Sequence, residues 1–274
     1  MKRFTELISI CLILTSVMYS TYIVKPGTVA YNVQAVPVSS CNVEYPKTIT
    51  FKSGDGLTIT ADLYMTANKC APFIILFHQA GYSRGEYKTI APRLNKMGFN
   101  CLAVDQRSGD KVNDVVDETA AEAAKLGLAV EFPDAYPDLV ASLKYVKNEL
   151  KASKIIIWGS SYSASLSLIL GSEYPCDITA ILAFSPGEYF EFQGKKVADY
   201  AANIKCPVFV TAEAKEYIPD TAKSIYDSIK VCNKVFFKPA GIEGVHGSST
   251  LNKDHANSEL YWTEVTKFLC SVVK

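Results

Sequence analysis

Ser161 stands in Gly159-Ser160-Ser161-Tyr162-Ser163, between Ile155-Ile156-Ile157-Trp158 and the apolar run 164–170. A serine hydroxyl attacks a carbonyl only when the backbone exposes it and a base takes its proton. The flanking residues meet the first need. Three β-branched residues and a Trp read as a short buried strand, and Leu166, Ile169 and Leu170 share one face of a following helix. A strand, a sharp turn and a helix with Gly-x-Ser at the turn hold the hydroxyl at a strained tip, where helix N–H groups can face an oxyanion. Gly159 is expected because a side chain there would strike the neighbouring strand. Ser163 takes the place of the second Gly of the usual G-x-S-x-G and is small enough to fit. The plainer reading of the stretch is a serine-rich helix cap.

Three histidines compete for the role of base: His78, His246 and His255. His246 lies in Gly244-Val245-His246-Gly247-Ser248, a flexible loop after the last expected strand, which is where the base follows a nucleophile of this kind. His255 sits in a charged, Asn-rich stretch that reads as solvent-facing. His78 closes a strand and opens His78-Gln79-Ala80-Gly81, the position of a loop whose backbone completes an oxyanion hole. The expected donors are the N–H groups of Gln79 and Tyr162. An ordinary strand-to-helix turn with a buried His is the plainer alternative for that loop.

These residues need a scaffold. Residues 48–51 and 57–64 flank Ser53-Gly54-Asp55-Gly56 as a hairpin. After it strands are expected over 73–77, 100–104, 155–158, 178–184, 208–211 and 234–237. Helices are expected over 86–97, 135–150, the segment after Ser161, 221–229 and 261–273. An antiparallel opening followed by βαβ units predicts an α/β domain with a mostly parallel sheet and helices on both faces. The segment 106–133 is far longer than an ordinary βα loop and carries a helical stretch near 118–126. It reads as a lid or pocket wall, or as a solvated decoration. Tyr82, Tyr189, Phe190 and Phe192 are candidates for the pocket wall and equally for the core.

The chain has 274 residues, 49% of them apolar, with 28 basic and 28 acidic side chains. It is long enough for one large domain, expected over 36–274, and no basic stripe points to nucleic acid. Met1-Lys2-Arg3 followed by the uncharged, apolar run 7–24 reads as a secretory signal within residues 1–35, so an exported protein is expected, periplasmic or secreted. The alternative is an uncleaved anchor over 7–24, the single expected link to a membrane. Of eight cysteines, none forms a Cys-x-x-Cys pair, and no His spacing suits a metal. Cys176 with Cys206, Cys41 with Cys70 and Cys232 with Cys270 are candidate bridges whose connectivity the sequence leaves open, with Cys101 an inert core thiol.

The sequence resembles the α/β-hydrolase superfamily, and within it the dienelactone-hydrolase-like serine esterases. The resemblance runs from about residue 48 to the C-terminus. It rests on His78-Gln79-Ala80-Gly81, on Val104-Asp105-Gln106-Arg107-Ser108-Gly109 (similar to the family's D-x-R-x-x-G), on the Ser161 turn and on Gly244-Val245-His246-Gly247. It implies the α/β-hydrolase fold and hydrolysis of a small-molecule ester or related acyl bond, with no metal or organic cofactor. It also implies a Ser161–His246–acid triad acting through an acyl-enzyme. The departure is at the acid. After the strand 208–211 the family places an Asp four residues before a Val/Ile-Pro, and here Lys215 stands there, ahead of Pro219. A lysine cannot stabilise an imidazolium. Glu216 is the first choice, its extra methylene offsetting a one-residue displacement, with Glu213 close behind and Asp220 third. Two other functions stay open: a small peptidase of the same fold, and a catalytically silent exported scaffold acting as a binding protein.

Overall fold

Phe73, Ile75 and Phe77 face one side of a strand and Ile74 and Leu76 the other, and all five are buried. A strand apolar on both faces needs cover on both. In the computed structural model, which describes residues 46–213, 221–239 and 244–273, this strand (β3, Phe73–Phe77) lies inside an eight-stranded sheet.

Chain order runs β1 (Lys47–Lys52), β2 (Thr58–Tyr64), β3, α1 (Ile90–Lys96), β4 (Asn100–Val104), a small hairpin β5–β6 (Lys111–Val112, Val115–Val116) and α2 (Glu118–Leu126). Next come α3 (Tyr136–Asn148), β7 (Ile155–Ser160), α4 (Tyr162–Glu173), β8 (Ala180–Phe184), α5 (Val197–Ala201) and β9 (Val208–Thr211). The chain closes with α6 (Thr221–Ser228), β10 (Lys234–Phe237) and α7 (Ser258–Val272). Sheet order is β1-β2-β4-β3-β7-β8-β9-β10. β2 pairs antiparallel with β1 and β4, and every pairing from β4 to β10 is parallel. This is the expected α/β-hydrolase sheet.

Alternation along the strands divides the core in two. Ile75, Phe77 and Ile157 pack with α3, α4, α5 and α6 on one face. Ile74, Leu76, Trp158, Phe184 and Phe209 pack with α1 and α7 on the other.

Several expectations change. The helix read over 86–97 is a 3₁₀ turn, Arg84–Tyr87, followed by the separate α1. Pro92 explains the break: it lacks the N–H that a helix begun at Glu86 would need there, and it is tolerated in the first turn of α1. The hairpin β5–β6 was not expected, because its strands are only two residues long. Cys176, Cys206, Cys232 and Cys270 are free thiols rather than bridged pairs. Cys206 is buried in the core while Cys176 faces solvent. Cys41, the expected partner of Cys70, lies outside the described residues, as does the whole segment 1–35 with its apolar run. Among the described residues no helix is long and apolar enough to cross a membrane.

Candidate active site

From β3 the chain crosses to β4 on one side and later returns to β7 on the other. Such a reversal opens a crevice beyond the carboxyl ends of the two strands, where ligands of open α/β sheets bind. The loop 78–81 leaves β3 at this crevice, Ser161 leaves β7, Glu213 follows β9 and His246 follows β10.

Ser161 adopts φ 60° and ψ −124°, a conformation L-residues rarely take, and is 8% exposed. Strain of this kind, held by its surroundings, is what a nucleophile turn requires. Its N–H donates to Phe184 O at 2.8 Å, anchoring the turn to β8. A Cβ on Gly159 would come within 2.4 Å of Ser163 O and 2.5 Å of Ala164 Cα. The glycine is therefore required by the first turn of α4 and not, as the sequence suggested, by a neighbouring strand. Ser163 does more than fit: its Oγ accepts from Ser160 N–H at 2.9 Å and lies 2.8 Å from Phe77 O, joining the turn to the end of β3.

His246 Nε2 lies 2.7 Å from Ser161 Oγ. With Nε2 accepting the serine hydroxyl, a neutral ring carries its proton on Nδ1. Burial lowers the imidazole below its ordinary value, with the Glu213 carboxylate acting in the opposite direction. A base that is neutral near pH 7 is ready to take a proton. The loop is held closely: Gly247 N–H donates to Ser185 Oγ at 2.9 Å and Ser248 N–H to Ser160 Oγ at 2.8 Å. At Gly247, φ is +67° and an added Cβ would lie 2.3 Å from Ser160 Oγ, so only glycine brings His246 in this way.

Among the acid candidates, Glu216 and Asp220 lie outside the described residues. Glu213 is half-buried, and its charge acts on both His246 and Tyr261.

The loop after β3 differs from expectation. Gln79 N–H does not face the crevice; it donates to Glu86 Oε2 at 2.9 Å. Gln79 O accepts from His78 Nδ1 at 2.8 Å and from Tyr82 N–H at 3.1 Å. In a trans peptide the next N–H points opposite to the carbonyl. The Ala80 N–H is thereby turned away from those inward bonds, and it meets no acceptor among the described residues. Tyr162 N–H is at the first position of α4, where helix N–H groups lack an intrahelical partner. The backbone N–H of this loop without an acceptor among the described residues is therefore that of Ala80 and not that of Gln79, and no signal in the sequence marks Glu86 as the residue that takes the Gln79 N–H.

His78, Asp105 and Asp117 are the one group among the described residues with the spacing of a cation site. Its positive charge is already supplied. Arg84 bonds Asp105, and Gln106 N–H donates to His78 Nε2 at 3.0 Å. Nε2 also lies 3.1 Å from Asp117 Oδ2. Burial alone would lower the His78 imidazole, yet Asp117, the Gln79 carbonyl and the Asp105 charge together outweigh it and the net shift is upward. The D-x-R motif thus serves the scaffold: Asp105 receives Arg84, while Arg107 pairs with Asp138 at 2.6 Å and Asp55 at 2.7 Å.

Around Ser161, Tyr189 is 43% exposed, and its hydroxyl donates to Ser185 O at 2.8 Å. Phe132, from the segment 106–133, stacks on Tyr162 at 4.7 Å and meets Phe190 edge-on at 6.5 Å. Tyr82 is half-buried. Phe192 belongs to the core instead, packed on Tyr136 and Tyr200.

Residues 69–234, more than half of the chain, match the hydrolase family described as serine aminopeptidase, S33. The chain belongs to this family. No match is found among curated proteins. Solved structures give the fold of this S33-family hydrolase broad company. An esterase of Pyrococcus furiosus superposes with a TM-score of 0.62 at 18% identity, covering 84% of this chain and 93% of that one. A dienelactone hydrolase of Anabaena variabilis gives 0.64 at 11% identity, with 84% and 100% covered. An acylaminoacyl peptidase of Pyrococcus horikoshii gives 0.58 at 17% identity, and there 85% of this chain matches only 43% of the longer peptidase. At such identities the likeness is one of fold. The chain is an α/β hydrolase of dienelactone-hydrolase-like architecture.

Proposed function

We propose that this α/β hydrolase is a serine hydrolase cleaving carboxylic esters through Ser161, His246 and Glu213. The observation that carries this reading is the 2.7 Å approach of His246 Nε2 to a serine oxygen held at φ 60°. His246 takes the Ser161 proton as Oγ attacks the ester carbonyl. The N–H groups of Ala80 and Tyr162 receive the tetrahedral oxyanion. His246 then returns the proton to the leaving alcohol, and water, activated by the same imidazole, hydrolyses the acyl-enzyme. Glu213 stabilises the imidazolium formed in each half. We assign it the role ahead of Glu216 because its charge bears on His246. Phe132, Tyr189 and Phe190 favour an apolar or aromatic acyl group.

Labelling by a fluorophosphonate probe tests the reading. Strong labelling of the chain without residues 1–35, lost in Ser161→Ala and His246→Ala, supports an activated serine. A folded wild-type chain that stays unlabelled would sink the enzyme reading and favour a silent binding protein. The S33 family description keeps peptide bonds in play, so aminoacyl amides belong beside p-nitrophenyl esters in the substrate panel. We place the protein outside the cytoplasm, on the charged and apolar pattern of residues 1–24. Cell fractionation with an antibody against the C-terminus checks this, and a cytoplasmic pool of full-length chain would refute it.

A further inference from the structure

Glu86 is 1% exposed, and its bonds go to no cation. Its Oε2 accepts the Gln79 N–H at 2.9 Å, and its Oε1 lies 2.9 Å from Ser160 Oγ. Ser160 Oγ already accepts an N–H from Ser248 at 2.8 Å. A hydroxyl has one proton to give, so Ser160 donates it to Glu86 when the carboxyl is ionised. The result is a directed chain, Ser248 N–H to Ser160 O–H to Glu86, with Gln79 N–H on the other oxygen. Gln79 Nε2 adds a link to Ser249 Oγ at 3.2 Å.

One carboxylate thereby grips both halves of the proposed oxyanion hole from behind. Gln79 immediately precedes Ala80, and Ser160 precedes the Ser161–Tyr162 step. The neighbouring Tyr87 fastens the same turn to β3, its hydroxyl donating to Phe77 O at 2.6 Å. We propose that Glu86 is a positioning residue whose carboxylate sets the separation of the Ala80 and Tyr162 N–H groups and ties both to the His246 loop. The inference rests on Ser161 being the nucleophile.

The titratable groups facing Glu86 are His78, from the β3 loop, Tyr87, from its own turn, and Tyr162, from α4. Burial pushes the Glu86 carboxyl up to about 7, against the Gln79 N–H, the Ser160 hydroxyl and His78, which hold it down. Ionised, it makes two charge-assisted bonds, roughly twice as strong as neutral ones. Protonated, it has one oxygen fewer to accept with, and the grip slackens. The acid limb of activity then follows Glu86 rather than His246, whose imidazole lies below its ordinary value.

The test is the pH dependence of fluorophosphonate labelling and of p-nitrophenyl acetate hydrolysis, for wild type, Glu86→Gln and Ser160→Ala, each verified as folded by circular dichroism. In Glu86→Gln, kcat is expected to fall by about tenfold or more with KM within about twofold, since the loss is in oxyanion placement. Its acid limb moves to lower pH, where His246 titrates. In Ser160→Ala the limb moves the other way, because the bond that holds the Glu86 proton affinity down is gone. A probe-reactive wild type whose limb stays in place in both variants would overturn the proposal while leaving Ser161 intact. A wild type that never reacts fails at the nucleophile instead. If Glu86→Gln does not fold, the upward shift in Ser160→Ala decides alone.

Discussion

Two residues of one turn bury charge in contrasting ways. Arg84 bonds Asp105, reaches Asp62 at 3.2 Å and Glu118 at 3.1 Å, and stands near the His78–Asp117 pair. Glu86, two positions later, is enclosed with a backbone N–H and a serine hydroxyl as its bonding partners. The first region is ion-paired, with one guanidinium shared among three carboxylates, and it anchors the segment 106–133 to the sheet: Arg84 Nη1 also donates to Val116 O, and Asp105 accepts the Glu118 N–H. The second leaves a carboxylate uncompensated behind the crevice. Ion-paired charge serves the scaffold here, and a carboxylate with no cationic bonding partner is found where chemistry is proposed.

The sharpest separation of the two regions comes from Ser161→Ala. Ester hydrolysis is expected to drop by at least about 10⁴-fold with the fold unharmed, since activity and strain share this residue. Steady-state assays and a thermal melt check both halves. Arg84→Met should do the reverse, retaining Ser161 chemistry in whatever fraction folds while lowering stability by about 3–5 kcal/mol, because Asp105 is left buried without its partner. Urea denaturation reads this, and a loss below about 1 kcal/mol would mean the network is not holding the fold.

Glu86→Gln should shift stability in the opposite sense at neutral pH. The folded-state carboxyl is raised from 4.5 to about 7, so the folded chain binds the proton more tightly than the unfolded one. Below pH 4.5 both states hold it and no penalty arises. As pH rises to about 7 the penalty of the buried charge grows to its full value. The variant lacks that penalty, so its stability relative to wild type should improve over this window by up to about 3 kcal/mol. Denaturation midpoints at pH 5 and pH 8 measure it, and an unchanged gap would show that the charge is not buried as described. The smallest effect is expected from Ser161→Gly, which should be more stable than Ser161→Ala by about 1 kcal/mol as the strained φ is relieved.

Much of this was legible in the chain. The strands 73–77, 100–104 and 208–211 appear with the expected bounds, because runs this apolar persist where a sheet is covered on both faces, and the half-buried edge strand 234–237 keeps its bounds too. Ser161 was legible because Gly-x-Ser between a β-branched run and an apolar helix has few other uses. His246 was legible because one of only three histidines lies between glycines beyond the last strand. Glu86 was not, since a glutamate at the start of a helical pattern ordinarily faces water, and nothing local says that the turn will be driven inward. Phe192 stayed open between pocket wall and core because an aromatic in a loop gives no sign of which side it packs on, and the structure puts it in the core. The candidate pairs Cys176–Cys206 and Cys232–Cys270 failed for a similar reason: spacing says nothing of whether two thiols approach, and Cys206 and Cys176 lie in different environments.

The sequence by itself determined the parallel sheet, the serine at a sharp strand-to-helix turn and the approach of a histidine to it, because each follows from local pattern: hydrophobic period, turn chemistry and the steric demand met only by glycine. Tertiary structure alone decided which N–H groups face the crevice. The direction of the peptide from Gln79 to Ala80 depends on His78, held in turn by Gln106 28 residues away, and on Glu86 from a separate turn. A backbone N–H has the same chemistry at every position, so its role is set only by what the surrounding fold leaves it to bond.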